Sequence, residues 1–247
     1  MRKIIYLFVL ILTAGNMSCS YLPEAPLNVV FEENADYIIL KPSGSTDKQT
    51  GIVFYPGGLV DPHAYIDAFE ALVLEDKRTV IIVKVTSNLA IWNSQKASGI
   101  LDEIEDVDDW IIGGHSLGGS TACIDLYNNP DQYKGLFLMA AYSVNALADS
   151  NIPVISITSS EDQILDFEKL EENKVNLPEA VSISSPEELT YGSTIGTTID
   201  YQIEGGNHSQ FGNYGQQKED GTATITAEEQ QLFVTQILRQ FLLANAL

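Results

Sequence analysis

Trp110-Ile111-Ile112-Gly113-Gly114-His115-Ser116-Leu117-Gly118-Gly119-Ser120-Thr121 is the stretch on which the reading of this chain turns. An apolar run ends in glycines, a serine stands among them, and a pattern of helical spacing follows through residues 121–127. Residues 110–113 read as a short buried strand. Gly114-x-Ser116-x-Gly118 has the form of a nucleophile elbow, a sharp strand-to-helix turn that lifts a serine hydroxyl above the edge of a sheet. The glycines have a steric reason. The serine backbone is strained, and any side chain at 114 or 118 would crowd the turn.

Outward from this turn, strand patterns alternate with helical ones. Residues 29–31, 37–40, 51–55, 79–85, 135–141, 153–158 and 198–203 read as strands. Residues 64–74, 94–107, 167–175 and 226–246 carry helical spacing. The apolar residues of 79–85 barely alternate, as expected of a strand with both faces covered. Thr226-x-x-Glu229 is a capping box for the last helix, with Phe233, Ile237, Phe241 and Ala244 as its expected buried stripe. The alternation implies an α/β domain with a mainly parallel sheet and helices on both faces.

The chain has 247 residues, of which 45% are hydrophobic, enough for one domain with a large core. Thirteen Lys and Arg face 34 Asp and Glu, a formal net charge of −21. Such a surface repels phosphate backbones and anionic headgroups, so nucleic acid is discounted as a partner, and the charge reads as a solubility feature. Met1-Arg2-Lys3 is a basic start, and residues 4–13 form an apolar core too short for a membrane span. Asn16-Met17-Ser18-Cys19 then resembles the lipobox of bacterial lipoproteins, with a small residue at 18 but no leucine at 16. The expected organisation is a signal peptide over 1–18, a tether over 19–28 and a catalytic domain over 29–247. The expected location is the bacterial cell envelope, anchored by a lipid on Cys19, or otherwise secreted or periplasmic. Membrane contact is expected only through that lipid, and Cys123 is then left without a disulfide partner.

In an open parallel sheet, ligands bind outside the carboxyl ends of the strands. Gly57-Gly58, Ser116, Asp162 and His208 all fall just after such ends. A serine hydroxyl needs a base within hydrogen-bond reach, and the base needs an orienting carboxylate. The chain has three histidines. His115 occupies the x position of the elbow, its side chain expected to point away from the neighbouring hydroxyl. His63 follows Asp61-Pro62 at a helix start. His208 lies in a Gly-rich loop after the last strand and completes the order serine, acid, histidine. Glu161 and Asp162 both follow the strand at 153–158 and both qualify as the acid. An oxyanion needs two backbone donors. One is expected from Leu117; the other, because Pro56 has no N–H, from Gly58 or, second, Leu59. The histidines lack metal-ligand spacing, so neither a metal nor another cofactor is expected.

These residues resemble the α/β-hydrolases. Gly113-Gly114-His115-Ser116-Leu117-Gly118-Gly119 is similar to their elbow. Tyr55-Pro56-Gly57-Gly58-Leu59-Val60-Asp61-Pro62-His63-Ala64-Tyr65 resembles one branch of small bacterial members. So do Gly205-Gly206-Asn207-His208-Ser209-Gln210-Phe211-Gly212-Asn213-Tyr214-Gly215 and Asp220-Gly221-Thr222-Ala223-Thr224-Ile225 with Glu229-Gln230-Gln231. The resemblance runs from about residue 51 to the C-terminus. It implies the α/β-hydrolase fold, Ser116 as nucleophile and His208 as base. It also implies Asp162 as acid, because Ser160-Glu161-Asp162 is similar to the acid loop of the family. Only 45 residues lie between Ser116 and Asp162, and 45 between Asp162 and His208, which leaves no room for a large cap domain. Trp92, Tyr142 and Phe211 either line an acyl pocket or belong to the core. The expected activity is hydrolysis of small to medium carboxylic esters through an acyl-enzyme, the partner being a small-molecule ester. The same three side chains could serve a lactone, thioester or amide, or transfer an acyl group. The rival from another class is a hydrolase-fold binding protein without turnover; such proteins usually lack one of the three.

Overall fold

Strands with no polar face must be covered on both sides, and the five inner runs of this chain meet that demand. In the computed structural model, which describes residues 29–44, 50–192 and 194–247, every residue of Gly51–Tyr55, Val80–Val83, Trp110–His115 and Val154–Ser159 is buried, and only Lys134 is exposed in Tyr133–Met139. The expected signal peptide, the tether and Cys19 lie outside the described residues.

Among the described residues nine strands, β1 Val29–Glu33, β2 Tyr37–Pro42, β3 Gly51–Tyr55, β4 Val80–Val83, β5 Trp110–His115, β6 Tyr133–Met139, β7 Val154–Ser159, β8 Ala180–Ile183 and β9 Thr198–Ile203, form one sheet. Its order is β1-β2-β4-β3-β5-β6-β7-β9-β8. β1 and β2 are antiparallel additions at one edge; the seven strands from β4 to β8 in that order are parallel. Among the described residues the α-helices are α1 Ile66–Leu74, α2 Lys96–Leu101, α3 Leu117–Asn128, α4 Phe167–Asn173 and α5 Ala227–Ala244. This is the α/β architecture the strand–helix alternation implies, with no large cap among the described residues.

The period of two in β3 divides the core. Ile52 and Phe54 point to one face, where Phe69 of α1 and Ile237, Leu238 and Phe241 of α5 pack with Phe137. Val53 and Tyr55 point to the other, against Leu101 of α2 and Cys123 and Leu126 of α3. Tyr55 Oη also donates to the buried Asp125 carboxylate at 2.7 Å, and Asp125 accepts from the N–H of Ser98, so one carboxylate ties β3, α2 and α3 together. Burial raises the Cys123 thiol to about 12, which leaves it inert.

Three local expectations differ from the structure. β8 was not legible as a strand: it is a short edge strand with a mostly exposed Ala-Val-Ser-Ile sequence and no buried face to impose a pattern. The helix expected over 94–107 stops at Leu101. Asp102, Glu103, Glu105 and Asp106 follow, and carboxylates repel both one another and the negative end of a helix. In α5 the capping box of Thr226 and Glu229 is formed, but Phe233 is 37% exposed. Ile237, Phe241 and Ala244 are buried as expected, and Val234 and Leu238 complete the stripe.

β5 crosses the middle of the sheet with no room beside Gly113, where an added Cβ would overlap the ring of Phe137. Gly113→Ala is therefore expected to lower stability by about 1–3 kcal/mol, the cost of overpacking a filled core, read as a lower urea midpoint at unchanged m-value.

Candidate functional site

The carboxyl ends of β3, β5, β7 and β9 open at one rim because the strands are parallel, and each is followed by one component of the site. After β5, Ser116 adopts φ 53° and ψ −122°, a conformation that L residues rarely hold. The turn is fixed on both sides. Ser116 N–H donates to Met139 O at 2.9 Å, while Ser116 O accepts from Gly119 and Ser120 as α3 begins. A Cβ on Gly114 would overlap the Gly118 carbonyl group, and one on Gly118 would overlap the carbonyl oxygens of Tyr55 and Pro56. The serine is left half-buried at the N-terminus of α3.

After β7 and β9, two loops meet. His208 Nδ1 lies 2.8 Å from Asp162 Oδ2, with both side chains buried. The other oxygen of Asp162 accepts the N–H groups of Ile164 and Leu165, each at 2.8 Å. A carboxylate bonded in this way accepts from Nδ1–H, which leaves the lone pair of His208 on Nε2. Glu161 does not share this role; its carboxylate accepts from the Ser160 hydroxyl. The rings of His208 and His115 lie 4.5 Å apart, which places the imidazole against the residue next to Ser116. Ser116 Oγ and His208 form no hydrogen bond in this conformation among the described residues; contacts of this kind commonly tighten only with substrate in place.

The loop carrying His208 is held from behind. The buried Gln230 side chain both accepts from Asn207 N–H and donates to Asn207 O, each at 2.9 Å. Asp220 accepts from the backbone N–H and the hydroxyl of Ser209 at 2.8 and 2.6 Å, and Tyr214 Oη donates to His208 O. The Asp220 and Gln230 segments had stood out in the sequence only by resemblance; their partners now give them a physical role.

At the end of β3, Gly58 adjoins Leu117: a Cβ on Gly58 would touch Leu117 Cδ2 at 3.1 Å. The Leu117 N–H opens a helix and has no intrahelical acceptor. Gly57 N–H donates to Tyr65 Oη at 3.0 Å, and Leu59 N–H donates to Asn88 O at 2.6 Å. Leu59 is thereby removed as the second candidate donor, because its proton is already given away. Gly58 is the residue of this loop whose N–H remains open among the described residues.

The expected pocket residues separate. Phe211 is fully buried with its ring 5.3 Å from that of His115, so it is core and not a pocket wall. Trp92 is 59% exposed in the helical turn Ala90–Asn93, which packs on α3. Tyr142 is half-buried; its carbonyl accepts from Ser120 Oγ, and it borders a water-sized cavity with Ser156, Leu170 and Leu177, away from Ser116. His63 bonds Asp61 and Glu33 instead of joining the rim groups. Among the described residues, no group of three or more His, Cys, Asp or Glu side chains could hold a metal ion.

A family model described as the alpha/beta hydrolase family matches residues 51–232, most of the chain. The chain belongs to the alpha/beta hydrolase family. No curated protein sequence matches this hydrolase at a significant level. Among solved structures, it is similar to Est1E from Butyrivibrio proteoclasticus, at 10% identity and a TM-score of 0.59 over 87% of this chain and 99% of that one. It is also similar to Est2, a thermophilic esterase from the planctomycete Thermogutta terrifontis, at 16% identity and a TM-score of 0.57 over 94% and 96% of the two chains. At these identities the likeness is one of fold.

The hydrolase also holds a histidine that must stay neutral. Burial, and then the proximity of His208, push the pKa of His115 well below its ordinary value of 6.5. Unfolding lets His115 take a proton near that value, whereas the folded site refuses it. Stability present above pH 6.5 is therefore lost as the pH falls below it, by at most about 1.4 kcal/mol per unit from this residue. Urea unfolding at pH 7 and pH 5.5 should show a smaller drop for His115→Asn than for the parent.

Proposed function

We propose that this hydrolase cleaves carboxylic esters of small to medium size with Ser116 as nucleophile, His208 as base and Asp162 as its orienting acid. The observation that carries the reading is the buried His208–Asp162 pair, 2.8 Å between nitrogen and oxygen, against the strained turn that presents Ser116. Ser116 Oγ attacks the ester carbonyl while its proton passes to His208 Nε2. Asp162 stabilises the imidazolium and keeps the other ring nitrogen occupied. The carbonyl electron pair moves onto oxygen, where the N–H groups of Gly58 and Leu117 receive the charge. When the tetrahedral intermediate collapses, the C–O bond to the alcohol breaks and His208 returns its proton to the leaving oxygen. Water, deprotonated by His208, then attacks the acyl-serine, and the acid departs as Ser116 recovers its proton.

The neighbours in fold favour this substrate class over others. Est2 is an esterase and has been solved with propionate, and Est1E has been solved with ferulic acid. The leader sequence supports export with Cys19 as a lipidated terminus. Replacing Cys19 by Ser is expected to move the protein from the membrane to the soluble fraction of the expressing cells, followed by fractionation and immunoblot.

Ser116→Ala is expected to reduce turnover of p-nitrophenyl acetate and butyrate by about 10⁴-fold or more with the circular dichroism spectrum unchanged. Turnover retained in that variant would exclude Ser116 as the nucleophile.

A further inference from the structure

Two side chains outside the Ser116–His208–Asp162 set sit where the loop after β3, the turn at Ser116 and the loop carrying His208 meet. Tyr65 ends the helical turn Pro62–Tyr65 and is fully buried. Its hydroxyl accepts Gly57 N–H at 3.0 Å and lies 2.8 Å from His115 Nδ1. A phenol has one proton to give, and burial raises the Tyr65 pKa far above the ordinary range, so that proton stays in place. A buried hydroxyl needs an acceptor, and His115 Nδ1 is the one within reach of Tyr65 Oη among the described residues, so the Tyr65 proton is assigned to it. His115 is then neutral, with its own proton on Nε2.

The same pair touches the histidine loop. The Tyr65 ring packs so closely on Gly212 that a Cβ there would stand 2.9 Å from Cε1, and Asn213 N–H donates to Ala64 O at 2.6 Å. The His115 ring lies against His208, Phe211 and Tyr214.

The loop after β3 needs such a hold. Two successive glycines have more backbone freedom than any other pair. Gly57 is tied at both ends: its N–H to Tyr65, its C=O to Val60 N–H at 3.2 Å. In a planar trans peptide the following N–H points opposite to that C=O, so fixing Gly57 O sets the direction of Gly58 N–H.

We propose that Tyr65 and His115 are positioning residues for the oxyanion donor. The relay Gly57 N–H to Tyr65 Oη–H to His115 Nδ1 fixes the Pro56-Gly57 peptide, and together with the Gly57 C=O bond to Val60 N–H it holds Gly57 at both ends and aims Gly58 N–H at the site of developing charge. This inference rests on the ester-hydrolase reading of the Ser116 site. It gives the elbow histidine a task in the transition state that does not require it to move a proton.

The test uses the full chain with p-nitrophenyl butyrate as substrate. An aliphatic trifluoromethyl ketone, whose adduct with Ser116 carries an oxyanion, reports on the donor site directly. Tyr65→Phe is expected to lower kcat about 10–100-fold, less than the loss of a donor itself, with KM changed less than about threefold. Affinity for the ketone should fall by a similar factor. His115→Leu, which offers Tyr65 no acceptor, should behave like Tyr65→Phe. His115→Asn, which keeps an acceptor near the Nδ1 position, should recover most of both losses. The Tyr65→Phe, His115→Leu double variant should be no worse than either single change, because one relay is broken once.

Native-like Tyr65→Phe protein with kcat and ketone affinity within twofold of the parent would overturn the proposal. Equal losses in the Asn and Leu variants at 115 would also overturn it, a comparison that stands even if Tyr65→Phe does not fold. The two readings fail differently. Retained turnover in Ser116→Ala removes the site and this inference together; retained turnover in Tyr65→Phe beside an inactive Ser116→Ala removes this inference alone.

Discussion

The first turn of α3 lies directly on the end of β3, with the carbonyl oxygens of Tyr55 and Pro56 occupying the space a side chain at 118 would need. That close approach organises the rim. It forces glycine at 118 and brings the first N–H of a helix beside the Gly57-Gly58 loop, while the backbone of Gly118 and Gly119 in turn leaves no room for a side chain at 114. The helix N-terminus contributes partial positive charge at the same point, where an anion would be held. The proposed nucleophile and the proposed anion site therefore meet at one packing contact between a strand end and a helix start. Strain at Ser116, of order 1–3 kcal/mol, is sustained by the filled sheet around it.

The second dependency is electrostatic. A buried carboxylate is tolerated only where its hydrogen bonds are complete, and Asp162 has three: two from its own loop and one from His208. Leaving a buried acceptor of this kind without one of its donors typically costs about 1–3 kcal/mol, so the bond braces the two loops against each other. Gln230 and Asp220 extend that bracing to α5 and to the segment before it. The histidine loop thus has little secondary structure yet is firmly placed, and its order comes from side chains far away in the chain.

Much of this was legible in the sequence because a few residue types had few alternatives. The elbow announced itself by glycines with a serine between an apolar run and a helix. With three histidines in the chain, His208 stood out by its place after the last strand. The parallel sheet followed from unbroken runs such as Val80–Val83. The failures have physical reasons as well. β8 has no buried face, so no period of two was written into it. Ile237, Phe241 and Ala244 of the expected stripe in α5 are buried, and only Phe233 gives way to its neighbour Val234, since both are apolar and adjacent at the edge of the buried face. Phe211 was compatible with a pocket wall or a core position, a choice that depends on His115 lying beneath it. Leu59 lost its donor role to Asn88, 29 positions on, and Tyr65 meets His115 across 50 positions. Partnerships between distant segments leave no local pattern for a sequence to display.

The two outermost strands bear on how the molecule behaves in a crowd. An unpaired strand edge invites another sheet to dock, and the danger grows with length and flatness. Here one border is the four-residue β8 and the other is β1, five residues long and ending in Glu32-Glu33. Two short borders, one of them acidic, on a chain carrying −21 overall make stacking of sheets between copies unfavourable at low ionic strength. Colloidal stability is thus written into the margins of the same sheet whose centre holds the proposed site.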